Sequence, residues 1–96
     1  SSIGALPAVV DAVGSKIEVH MDGGIRSGQD VLKAWALGAR GTYIGRAMVY
    51  GLGAMGEAGV TSALEIIHKE LDLTMAFSGR TNIHQVDKSI LLPGTF

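Results

Sequence analysis

Two short runs in this sequence combine residue types that can hold an anion: Asp22-Gly23-Gly24-Ile25-Arg26 and Gly45-Arg46. Glycine has no Cβ, so its backbone N–H can approach a phosphate without a side chain in the way. A nearby arginine adds a planar fork of charged donors to the same oxygens. Asp22 has the opposite sign and would repel the anion, so a place for it in the site calls for a neighbouring hydroxyl whose proton it accepts. The combination points to a phosphorylated polyol. Each piece also has a plainer reading, because a glycine pair after a strand is often only a turn and an arginine often caps a carbonyl or stays solvated. The pairing of two such loops favours a ligand.

The elements that must position these loops are legible in the periodicity. Leu6, Val9, Val10 and Val13 recur at helical spacing after Gly4, with Pro7 suited to a first turn and Gly14 to a stop. Ile17, Val19 and Met21 alternate with Glu18 and His20, which predicts a strand that ends at Asp22-Gly23-Gly24. Ser27 and Asp30 have capping-box spacing before the apolar stripe Val31, Leu32, Trp35 and Ala36, which predicts a helix to about Gly38. Thr42, Tyr43 and Ile44 form a second strand, and Arg46 opens another loop-to-helix turn. Val60, Ala63, Leu64, Ile67, Leu71 and Met75 then share one face of a long helix closed by Gly79. Strands alternating with helices in this way define an α/β chain with parallel pairing, and both anion-binding runs fall at C-terminal strand ends, where such folds bind ligands. Two strands alone leave sheet edges open, so further strands are expected to pair with them, as in a quarter of a (β/α)8 barrel.

Composition narrows the field. The 96 residues carry a formal net charge of -1 and no cysteine. That excludes disulfides, thiolate chemistry and a global basic field for nucleic acid. No apolar run approaches the roughly 20 residues of a membrane span, and a cytoplasmic location is expected. His20 is expected to be a packed or hydrogen-bonded core histidine, and His68 and His84 are too far apart to be a helical metal pair, so no metal is expected. Trp35, Tyr50, Met48, Met55 and Met75 read as packing residues. Lys88, Ile90, Leu91 and Leu92 read as a tail that packs onto a barrel surface or a neighbour.

The run from Met21 to Ala34, with Ala36-Leu37-Gly38-Ala39, Ile44-Gly45-Arg46-Ala47, Tyr50-Gly51-Leu52 and Gly56-Glu57-Ala58-Gly59-Val60, resembles the FMN-dependent α-hydroxy-acid dehydrogenases and oxidases. The resemblance covers nearly the whole chain. It implies a TIM barrel of which residues 1–96 are the C-terminal portion, holding its seventh and eighth strands. It further implies FMN as cofactor, with Asp22 accepting from ribityl hydroxyls, Gly23, Gly24 and Gly45 supplying backbone donors, and Arg26 and Arg46 holding the phosphate. The implied activity is oxidation of a small 2-hydroxy acid such as lactate, glycolate or mandelate to a 2-oxo acid. The implied partners are the remaining strands of the same barrel, that substrate, and further copies of the chain in a homo-oligomer.

The family's catalytic histidine lies in a Ser-Asn-His-Gly-Gly-Arg-Gln-type motif just ahead of the first helix, and this sequence does not contain it. No catalytic residue is therefore assigned, and the chain alone is expected to be inactive. Two other readings stand beside this one: another FMN- or phosphate-binding TIM-barrel enzyme, and a non-catalytic phosphate-binding fragment.

Overall fold

The computed structural model describes residues 1–94. Helix α1 (Ser2–Val13) begins at Ser1, whose hydroxyl accepts the Gly4 N–H at 3.2 Å, and ends at Gly14. It starts earlier than the Leu6 periodicity indicates, so Pro7 sits inside the helix and not in its first turn. One buried residue, Leu6, anchors it to the core.

Strands β1 (His20–Asp22) and β2 (Gly41–Tyr43) pair in parallel, with His20 opposite Gly41, Met21 opposite Thr42 and Asp22 opposite Tyr43. The expected strand from Ile17 is therefore shorter and displaced. Its ladder starts where β2 supplies partners, with the Val19 carbonyl accepting from Arg40 at 2.8 Å, and Ile17 stays 62% exposed. Successive strand side chains point to opposite faces, so buried Met21 packs toward the helices while His20 and Asp22 lie on the exposed face. His20 is accordingly not a core residue: its ring meets Tyr43, with Nδ1 and the phenol oxygen 3.2 Å apart.

Between the strands, α2 (Gly28–Ala36) is capped by Ser27, whose hydroxyl accepts from Asp30 at 3.3 Å. One core cluster, Leu6, Val19, Met21, Ile25, Ala34, Leu37 and Ala39, seals the sheet against α1 and α2. A second, Leu32, Ala36 and Val86, joins the far side of α2 to the C-terminal segment, with Trp35, Leu71, Met75, Ile90 and Leu91 packed around it. The expected packing roles of Trp35 and Met75 hold there, and Arg40 lies over the Trp35 ring at 4.2 Å.

Helices α3 (Arg46–Met55) and α4 (Glu57–Phe77) are joined through Gly56, whose φ of 62° lets the chain fold back on itself. Tyr50 and Met55, expected to pack, are instead 64% and 61% exposed, as are Ile66 at 58% and Phe77 at 89%. These residues lie on faces that no other described element covers. The two-stranded sheet likewise leaves both of its outer edges unpaired among the described residues. No helix among the described residues is long and apolar enough to cross a membrane.

Candidate functional site

The loops after β1 and β2 meet at one end of the sheet. Asp22, Gly23, Gly24, Ile25, Arg26, Gly45 and Arg46 line a single cavity of about 310 Å³. All of the residues singled out in the sequence for anion and polyol binding thus come together, with buried Ile25 as the floor that the sequence reading did not include.

Local chemistry explains the loop. Gly23 and Gly24 have φ of 102° and 80°, a left-handed region that residues with a Cβ rarely adopt. Two glycines in succession turn the chain sharply out of β1. At Gly24 and Gly45 no residue beyond the chain neighbours comes within 4 Å of where a Cβ would stand. Gly23 differs, since its Cβ would lie 2.9 Å from the Ser2 hydroxyl of α1.

Two helix N-termini border the cavity, and they are not equivalent. The first turn of α2 is already occupied: Ser27 accepts from Asp30 N–H, the Asp30 carboxylate accepts from Arg26 N–H at 2.9 Å, and Glu70 of α4 accepts from Gly28 N–H at 3.2 Å. At α3 the cap residue is Gly45, and no side chain caps the helix. The unpaired N–H groups and positive dipole end of α3 are therefore available to an anion in this cavity. Arg26 and Arg46 are exposed, and among the described residues neither guanidinium has a carboxylate or hydrogen-bond partner.

The Ser27–Asp30 spacing signalled the cap, but it did not reveal that the Asp30 carboxylate reaches back to Arg26 and not to Ser27. Glu70 gave no signal at all, because the residue it caps is 42 positions away.

A parallel β/α pair thus carries two glycine-arginine loops and the N-terminus of a short helix at its C-terminal strand ends, the edge at which barrel folds bind their ligands. The chain belongs to the FMN-dependent dehydrogenase family, whose model matches residues 1–93. It is 52% identical over 91 residues to the L-lactate dehydrogenase of Caulobacter vibrioides, covering 95% of this chain and 24% of that protein. Over 91 residues it is 48% identical to human 2-hydroxyacid oxidase 1, covering 95% of this chain and 25% of that enzyme. The structure of a mandelate oxidase mutant with a monooxide FMN adduct superposes with a TM-score of 0.83 at 42% identity, over 88% of this chain and 27% of that one. The chain thus spans about a quarter of the length of these relatives. FMN is the cofactor of this family, and its structural neighbours are TIM-barrel enzymes.

The residues fit the phosphate end of such a cofactor. Open backbone at Gly24 and Gly45, an uncapped helix and two arginines without a partner among the described residues supply donors, and Asp22 adds a carboxylate acceptor to the lining.

Proposed function

We propose that this chain is the FMN-phosphate-binding part of a flavin oxidoreductase that converts a small 2-hydroxy acid of the lactate type to its 2-oxo acid. The observation that carries the reading is the cavity lined by Asp22, Gly23, Gly24, Arg26, Gly45 and Arg46 at the C-terminal ends of two parallel strands. Gly24, Gly45 and the first turn of α3 bring backbone N–H groups to the phosphate oxygens. Arg26 and Arg46 close on them with charge-assisted bonds. Asp22, on the exposed face of β1, accepts from a hydroxyl of the ribityl chain. When bound, FMN supplies the two-electron acceptor for the hydroxy acid, while the protein binds and orients.

In this reading β1 and β2 are the seventh and eighth strands of the barrel, and α3 is the extra helix that follows the eighth strand. The unpaired sheet edges and the exposed Ile66 and Phe77 of α4 support pairing with the remaining strands and, in a homo-oligomer, with other copies. The chain by itself does not turn over substrate.

The test is to combine the chain with the N-terminal barrel strands of a relative such as the L-lactate dehydrogenase, add FMN, and assay lactate, glycolate and mandelate with an artificial acceptor. Flavin retention and turnover are expected only in the combined sample. Flavin-free barrels that fail to bind FMN would overturn the reading.

A further inference from the structure

The carboxylate of Glu70 reaches from the middle of α4 to the first residue of α2, accepting from Gly28 N–H at 3.2 Å. That amide belongs to the set a helix cannot satisfy internally, so its partner decides how the helix start is held. Gly28 is buried, and a Cβ on it would fall 2.5 Å from the Glu70 carbonyl carbon and the Ile67 carbonyl oxygen. The first turn of α2 therefore sits directly on the α4 backbone, and Glu70 pins it there.

Arg26 stands just before this joint. Its N–H is held by Asp30, and the N–H of Asp30 is held in turn by Ser27, so the arginine backbone is fixed to the α2 turn. Its guanidinium has no protein partner among the described residues, so its direction depends on that backbone anchor. With the Gly28 N–H taken by the Glu70 oxygen, the side-chain-free terminus of α3 is the one left open to an anion.

We infer that Glu70 is a positioning residue for the anion clamp: it docks α2 on α4, aims Arg26 into the cavity, and reserves the α3 terminus for the phosphate. The inference rests on the proposed FMN-phosphate role of that cavity. It assigns to a residue remote in sequence a share in choosing FMN over the same flavin without its phosphate.

The experiment compares FMN with riboflavin on the reconstituted barrel by flavin fluorescence, together with exchange of the Gly28 amide hydrogen. In the unsubstituted protein FMN should bind more tightly than riboflavin, and equal affinities would overturn the phosphate reading itself. Given that preference, Glu70→Asp, which is one methylene too short to reach Gly28, should reduce it by about five- to tenfold, the scale of one net hydrogen bond, and should speed Gly28 exchange. Glu70→Gln keeps an acceptor at the same reach and should retain most of the preference. An unchanged FMN-to-riboflavin ratio in Glu70→Asp would overturn the role of Glu70. So would an equal loss in Glu70→Gln with the helical content intact, a result that remains readable even where the shorter variant does not fold.

Discussion

Gly59 of α4 lies against Gly51 of α3 so closely that a methyl group on Gly59 would overlap the Gly51 carbonyl. Two glycines facing each other let the helix backbones touch, and this crossing sets the direction in which α3 presents Arg46. Gly59→Ala should therefore destabilise the protein by about 1–3 kcal/mol through overpacking. Gly53, in the same α3 helix, has nothing within 4 Å of its Cβ position. Gly53→Ala should stabilise by about 0.4–1 kcal/mol by restricting the unfolded chain. Urea melts of the two variants check the contrast, and equal effects would remove the crossing from the account.

Arg46→Ala, with Arg26 intact, should weaken FMN binding by about 1.5–3 kcal/mol through loss of a charge-assisted contact to the phosphate. Riboflavin, which lacks the phosphate, should bind as before. Calorimetric titration of the reconstituted barrel with each flavin separates the outcomes, and a parallel loss for both would place Arg46 elsewhere in the site.

Gly24 and Gly45 should separate conformation from access. At Gly24 the φ of 80° makes any side chain strained, so Gly24→Ala should cost about 1–2 kcal/mol of stability. Gly45 has open space around it, but its φ of -108° with ψ of -85° falls outside the ordinary helical and extended regions, so a Cβ there carries some cost. Gly45→Ala should cost less stability than Gly24→Ala yet bind FMN less tightly, because in the proposed site its methyl would stand where the phosphate approaches. Thermal melts read the first effect and flavin titration the second.

The tail carries a pH-sensitive joint. Hydrogen bonds from the Ser89 hydroxyl, then from the Ser89 backbone N–H, hold the Asp87 carboxyl below its ordinary value of 3.8, with the Arg80 charge adding to them. A carboxyl with a depressed folded value contributes stability above its unfolded value, and that contribution is lost as pH falls through the folded one. The tail turn at residues 88–90 should thus hold at neutral pH and loosen in acid below about 3.8. Ser89→Ala, which removes the hydroxyl and keeps the backbone N–H, should move the Asp87 titration back toward 3.8, as followed by carboxyl NMR shifts; an unmoved midpoint would show that the Ser89 hydroxyl is not the cause.

By itself the sequence determined the chemistry of the site and the local punctuation that makes it. The Asp22 to Arg26 run, Gly45-Arg46, the Ser27 cap and the long α4 periodicity are all written in spacings of a few residues, the range over which turns, caps and helix faces act. Tertiary structure decided what depends on partners far along the chain. β1 shrinks to His20–Asp22 because a strand exists only where another pairs with it, and His20 is exposed because no layer among the described residues covers that face of the sheet. The Gly51–Gly59 contact between α3 and α4 depends on how the Gly56 turn folds the two helices together, and the Glu70–Gly28 bond that occupies α2 spans 42 positions. Those contacts decide which helix end has N–H groups to offer, since an N–H that already has an acceptor has none to give an anion while one left free by its neighbours does.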